Sequence, residues 1–167
     1  MSVSDEIFRR ALSRLAAGVS IVSTGSTGNR RGVTATAVCS VSAGPPTILA
    51  CVNTATGTCK MIQEKGLFAI NLLAEHHKPV AEVFAGRGGL QGEDRFEHGD
   101  WIAGDLHDLP ILGSALAALE CRVDNMVEAG THAVFFGVIE SAYFAENPPL
   151  IFHDGRFHVL PMSAAAA

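Results

Sequence analysis

The sequence predicts an antiparallel β-barrel of Greek-key type with a few short helices. Three observations lead there: many short apolar runs of strand length, turn residues between them, and no alternation of strand with long helix. The chain has 167 residues, enough for one domain with a sizeable core. Residues 1–162 are expected to form that domain, and residues 163–167, ending in alanines, an unstructured tail.

Ser4-Asp5-Glu6 predicts a helix start, with Ser4 as N-cap and acidic side chains in the first turn. Ile7, Phe8, Ala11, Leu12 and Leu15 recur at helical spacing, and Gly18 is the expected stop. Val19 to Thr24 reads as a strand, residues 25–30 as a hairpin turn, and the segment from Gly32 as the returning strand. That segment, Gly32 to Ser42, is built from small and hydroxyl-bearing residues and leads through Pro45-Pro46 into a buried strand, Ile48 to Val52. A helix over Thr56–Lys65 closed by Gly66, a strand over Leu67–Leu73 and a helix over Pro79–Phe84 follow. Residues 86–92 hold four glycines and too little side chain to pack, so a mobile loop is expected there. The second half is mostly β: Trp101-Ile102, Ala117–Val127, His132–Phe144, Leu150–Phe152 and Phe157–Val159, the last pair joined at Asp154-Gly155.

Composition narrows the function classes. A net charge of -5 offers no basic footprint for nucleic acid. No apolar run is long enough to span a bilayer, and the first residues lack a signal peptide's basic start and apolar core, so a cytoplasmic protein is expected. With 48% hydrophobic and only 17% charged residues, the chain has apolar surface to spare for a subunit interface, and a homodimer is expected. Cys39, Cys51, Cys59 and Cys121 form no CxxC pair. The first two and the last sit in apolar strand-like runs, where cysteine behaves as a small hydrophobe. His76-His77 has no third ligand at useful spacing and reads as a surface helix start rather than a metal site. Gln91 stands where a dinucleotide fingerprint needs its third glycine, and there is neither a P-loop nor a Gly-x-Ser-x-Gly elbow.

Four segments remain as candidates for chemistry. The small-residue strand leaves room above its backbone for a flat ligand, although such strands also occur as plain packing. Asn53-Thr54-Ala55-Thr56-Gly57-Thr58-Cys59-Lys60 lies where a strand ends and a helix begins, so free amides, alternating hydroxyls and one charge suit a phosphate. Ordinary capping would use one of those hydroxyls. Gly92-Glu93-Asp94-Arg95-Phe96 reads either as a loop that closes over a charged planar ligand or as a solvated loop anchored by Phe96. His132 begins an apolar strand between Gly130 and Gly137, and reads as a structural histidine or as a group that orients a planar ligand or supplies a proton.

In order and spacing these segments resemble the short-chain flavin reductases, the reductase components of two-component flavin-dependent monooxygenases. The resemblance runs from about Phe8 to Val159. It rests on Gly32-Val33-Thr34-Ala35-Thr36-Ala37 with Ser40-Val41-Ser42, on Asn53-x-x-Thr56-x-Thr58, and on Phe68-Ala69-Ile70-Asn71-Leu72-Leu73. Phe84-Ala85-Gly86, Asp94-Arg95-Phe96, Leu119-Glu120-Cys121 and His132-x-x-x-x-Gly137 complete it. It implies a homodimeric split β-barrel that binds FMN or FAD and takes a hydride from NADH or NADPH, nicotinamide C4 to flavin N5. Reduced flavin would then diffuse to a partner monooxygenase. It also implies roles: Thr34, Ala35, Thr36, Ala37 and Val38 along the isoalloxazine; Asn53, Thr54, Thr56, Thr58 and Lys60 on the ribityl chain and phosphate. Phe84, Arg87, Arg95 and Phe96 would close near the flavin, and His132 would face the nicotinamide. Thr131, where many relatives carry Asp, and Ala37, where Ser is common, depart from the pattern. The same barrel also serves self-contained flavoprotein reductases and non-catalytic flavin carriers.

Overall fold

The computed structural model describes residues 3–160. The expected tail lies outside the described residues. In chain order the elements are α1 (Asp5–Leu12), β1 (Ala17–Gly18), β2 (Ser20–Thr24), β3 (Arg31–Ala35), β4 (Val38–Ala43), β5 (Pro46–Asn53), α2 (Gly57–Lys65) and β6 (Leu67–Leu72). Then come α3 (Lys78–Phe84), β7 (Trp101–Ala103), β8 (Pro110–Leu112), β9 (Ala117–Ala129), β10 (His132–Phe144), β11 (Leu150–His153) and β12 (Arg156–Val159).

The main sheet has seven strands in the order β3-β2-β6-β9-β10-β5-β4. Each neighbouring pair is antiparallel. The segment expected as one strand from Gly32 is two strands at opposite edges of that sheet. β3 pairs with β2, and β4 pairs with β5. Thr36 and Ala37 carry the chain from one edge to the other, and the curl of the sheet brings β3 beside β5. There the Cys51 N–H donates to the Ala37 carbonyl at 3.0 Å. The sheet does not close into a barrel. A seam is left between β3 and β5.

Both faces of the sheet's centre are covered. Inside the curl, Val22, Ile70, Phe68, Phe135 and Ile62 form one cluster. On the outer face Ile21, Phe84, Phe96, Leu109 and Leu112 form a second, roofed by α3 and the β7–β8 hairpin. This explains why every residue of β2 is buried and why that strand shows no apolar–polar alternation. β8 escaped the sequence reading because it is three residues long and begins with proline. Asn71, fully buried, ties the layers together: its amide donates to the Ile21 carbonyl and Ser23 Oγ, and its carbonyl accepts from the Leu112 N–H at 2.8 Å. Buried Glu120 accepts from the Leu106 and His107 amides and from the Tyr143 hydroxyl, which fixes the turn between β7 and β8.

Several expectations are corrected. α1 begins at the Ser4 cap as read, but it ends at Leu12, and Gly18 lies in β1, paired with β11. No side chain of α1 is buried, and Ile7, Phe8 and Leu12 are more than half exposed. Cys39 is exposed on the edge strand β4, while Cys59 and Cys121 are buried and all four cysteines are free. His77 is buried rather than at the surface. Its Nδ1 accepts from the Ala74 N–H at 3.1 Å, so Nε2 carries the proton and donates to Ser114 Oγ at 2.9 Å. At residues 154–155 the expected hairpin turn is present, with both residues at positive φ (49° and 75°).

Candidate functional site

A groove runs along β3. At one end, in the seam, a cavity of about 220 Å³ is lined by Val33, Thr34, Ala35, Thr36, Ala37, Cys51, Val52, Asn53 and His132. At the other end a cavity of about 260 Å³ is lined by Arg31, Gly32, Val33, Thr56, Gly57, Thr58, Gln91, Gly92 and Arg95. Val33 is common to both. The first has small, mostly apolar walls with backbone at hand, and the second is polar and cationic. A molecule with a flat ring at one end and an anion at the other matches that polarity.

The cationic end is built on the start of α2. Thr56 is the N-cap: its hydroxyl accepts from the Cys59 N–H at 3.1 Å and donates to the Asn53 carbonyl at 2.8 Å. Asn53 Oδ1 takes the Ala55 N–H at 2.9 Å, and Thr54 is tied by amide and hydroxyl to the Thr131 carbonyl. Thr58 differs from its two neighbours. It is 3% exposed, lines the cavity, and its hydroxyl has no hydrogen-bond partner among the described residues. Since no fully enclosed polar side-chain atom among the described residues lacks a partner, that hydroxyl opens onto the cavity. Of the three alternating threonines, then, two serve the backbone and one is free for a ligand. Lys60 is exposed on α2 and is not among the lining residues.

The loop expected to be mobile is pinned at several points. Arg95 donates from Nε to the Leu90 carbonyl at 2.8 Å and from Nη1 to the Gly32 and Phe84 carbonyls. Glu93 grips the β2–β3 turn, accepting from the Arg30 amide and guanidinium and from the Gly28 amide. Burial would raise the Glu93 carboxyl, but these donors outweigh it and hold the group below its ordinary range. Phe84 and Phe96 do not close over the groove. Both rings are buried, edge to face with centroids 4.9 Å apart. Arg87 is paired with Glu82 at 2.9 Å beside an adjoining hollow that contains Thr34, Thr36, Phe152 and Phe157. Val38 begins β4, half-buried and packed against the interior cluster.

His132 stands at the mouth of β10, opposite Asn53 of β5 in register, and forms part of the seam cavity's wall. It is exposed, with Nδ1 2.9 Å from Thr131 Oγ1. Cys51 enters the same wall. Burial raises its thiol above the ordinary range, so it is neutral there.

Sequence reasoning missed Arg31, Gln91 and Cys51. Arg31 falls between the expected turn and the expected strand, yet as the first residue of β3 it stands directly before the small-residue segment. His77, Ser114 and Asp100 form a chain that resembles a hydrolase triad only in composition. Asp100 accepts from Ser114 at 2.8 Å, and the imidazole already holds its acceptor nitrogen on the Ala74 amide, so it has no lone pair to take a proton from serine. No cluster that would hold a metal ion exists among the described residues.

Comparison with known proteins identifies the family. Residues 12–161 match the flavin reductase like domain. FMN reductase (NADH) RutF of Pseudomonas syringae pv. syringae is 37% identical, covering 99% of this chain and 92% of its own. The 4-hydroxyphenylacetate 3-monooxygenase reductase component of Salmonella typhimurium is 36% identical over 95% of this chain and 94% of its own. BorF, the flavin reductase component of a bacterial two-component tryptophan halogenase, superposes with a TM-score of 0.88 at 30% identity, covering 96% of this chain and all of its own. The Streptomyces globisporus NADH:FAD oxidoreductase SgcE6, solved with NAD and FAD fragments, superposes at 0.86 with 28% identity over 100% of this chain and 99% of its own. A groove with a ring-sized seam and an anion pocket, in a sheet of this topology, fits that kinship, and the chain belongs to the flavin reductase like domain family.

Proposed function

We propose that this protein is an NADH-dependent FMN reductase that supplies reduced flavin to a partner monooxygenase. The observation that carries this reading is the pair of cavities that adjoin at Val33 along β3, one with small walls and the other cationic. Relatives named for NADH-dependent FMN reduction and for monooxygenase reductase components support both halves of it.

The chain's own groups have separable tasks. The backbone and small side chains of Thr34 to Ala37, with Cys51, form a flat bed for the isoalloxazine, and α2's free amides with Thr58 receive the phosphate. When bound, the flavin supplies a two-electron acceptor for the hydride of the nicotinamide. His132 borders the open side of that bed and positions the nicotinamide against it. Rate then comes from holding two rings in contact, a matter of orientation rather than of proton transfer by the protein. A bed made of small side chains and backbone, without buried ion pairs to the ring, suits a product that must leave.

A homodimer fits the same reading. The apolar face of α1, with Phe8 51% and Leu12 53% exposed, and Leu15 beyond its end at 68%, borders a cavity shared with Thr36, Ala37 and Phe152. Cover from a second copy would bury it and wall the groove. No helix among the described residues is long and apolar enough to cross a membrane, and we place the enzyme in the cytoplasm, where NADH is available. The test is NADH oxidation followed by absorbance as FMN is added. Turnover that rises with free FMN supports the proposal. Turnover without added flavin indicates a self-contained flavoprotein, and none at all a carrier, and either result overturns it.

A further inference from the structure

We infer that Arg31 is the residue that reads the flavin phosphate, and that it sets a preference for FMN over riboflavin. The inference rests on the flavin reductase reading and adds to it a charge that the sequence had assigned to Lys60. Arg31 enters the anion cavity from the first residue of β3 and lies between two glycines. A Cβ at Gly57, the first residue of α2, would meet its Cδ at 3.5 Å, and a Cβ at Gly92 of the loop would meet its Nη1 at 3.4 Å. The guanidinium thus bridges the helix start and the loop, at contact distance from both backbones.

Its charge is uncompensated. Among the described residues Arg31 forms no ion pair, whereas its neighbour Arg30 is held by Glu93 at 2.6 Å. Its one guanidinium hydrogen bond among the described residues goes to the Arg30 carbonyl at 2.7 Å, which leaves the other N–H groups of the fork without a partner there. Arg95, in the same cavity, likewise donates only to carbonyls among the described residues. A cationic fork, an N-terminal helix turn and a buried, partnerless Thr58 hydroxyl converge in one cavity of a chain whose net charge is -5. That donor set matches a phosphate monoester, with the fork engaging two oxygens at once.

The experiment compares FMN and riboflavin, which differ only in the phosphate. Dissociation constants from flavin fluorescence, and kcat/KM from NADH oxidation with each flavin, are measured for the wild type, Arg31→Gln, Arg31→Lys and Lys60→Gln. Expected is a wild type that favours FMN, and an Arg31→Gln that weakens FMN about 10–100-fold while leaving riboflavin unchanged. Arg31→Lys, which keeps the charge without the fork, is expected to fall between them. Unchanged riboflavin turnover also shows that the variant is folded. Equal loss for both flavins in Arg31→Gln, no loss for FMN, or a selective loss in Lys60→Gln alone would each overturn the assignment. A wild type that reduces FMN and riboflavin equally well overturns Arg31 while leaving flavin reduction intact. One that reduces neither overturns the functional reading itself.

Discussion

Acid should weaken this fold through a single buried imidazole. His77 is 3% exposed and donates to Ser114 while accepting from the Ala74 amide, so it has no room for a second proton. Burial first, and the adjacent His76 second, lower its pKa to about 4, against a partial pull upward from Asp100. In the unfolded chain the same imidazole titrates near 6.5. Between those values the unfolded state binds a proton that the native state refuses. The stabilisation is therefore complete above about pH 6.5 and is lost as pH falls toward about 4. Each tenfold difference in proton affinity between the two states corresponds to about 1.4 kcal/mol, so a drop to about pH 5 should cost roughly 2 kcal/mol. Urea denaturation of the wild type and of His77→Gln, at pH about 8 and about 5, isolates that contribution, since Gln preserves polar contacts but does not titrate. The variant starts from lower stability and should lose about 2 kcal/mol less on acidification than the wild type. Parallel pH profiles for the two proteins would refute the reasoning, because the titrating group would then lie elsewhere.

Other outcomes follow from the geometry. Gly137→Ala would set a Cβ 2.5 Å from the Phe68 ring and 2.9 Å from Cys121 Cβ, in a core with no slack. A loss of roughly 1–3 kcal/mol in urea denaturation is expected, and an unchanged midpoint would mean that the bulge at Phe136/Gly137 absorbs the methyl. Thr56→Ala should cost about 1 kcal/mol of stability as a lost helix cap, whereas Thr58→Val should leave stability in place and weaken FMN. The reverse result in paired melts and titrations would exchange their roles. His132→Ala should lower kcat/KM for NADH on the order of 10–100-fold with FMN affinity retained, and stopped-flow traces identical to the wild type would place the nicotinamide against other groups. Light scattering at micromolar concentration should give the mass of two chains, and a monomer with FMN bound would sink the dimer.

Much of the fold was legible in the sequence because local signals and tertiary structure agree there. Ser4 and Thr56 cap helices, Gly66 ends one in the left-handed region, and the Asp154-Gly155 turn fits its hairpin. The misreadings lie where tertiary context decides. Nothing local distinguishes an uninterrupted strand from one whose halves belong to opposite sheet edges, so the break at Thr36-Ala37 was invisible. The burial of His77 depends on Ser114, which is remote in sequence. In the candidate site, the free helix start at Thr56–Thr58 and the small residues of Thr34–Ala37 are readable from spacing, because amides and missing side chains are local properties. That Phe84 and Phe96 are buried is not legible, because aromatic residues beside a loop look alike whether they face a ligand or the core. Arg31 went unnoticed for a related reason: its partners, Gly57 and Gly92, come from two other parts of the chain.

The seam between β3 and β5 has a consequence for where the molecule is weakest. Along most of the sheet, opening a strand means breaking a ladder of hydrogen bonds. At the seam the edge strand β3 faces the end of β5 across a cavity instead, with the Cys51 amide on the Ala37 carbonyl at 3.0 Å. A guest lying there touches both strands and rivets them together. Amide hydrogen exchange at Cys51 and along β3 should therefore slow when FMN binds, and the melting temperature should climb with the logarithm of its concentration. When the reduced guest leaves, the rivet is withdrawn from a gap that was never laddered. Release then withdraws that added stability without breaking a strand ladder, which suits a protein that passes its product to another enzyme.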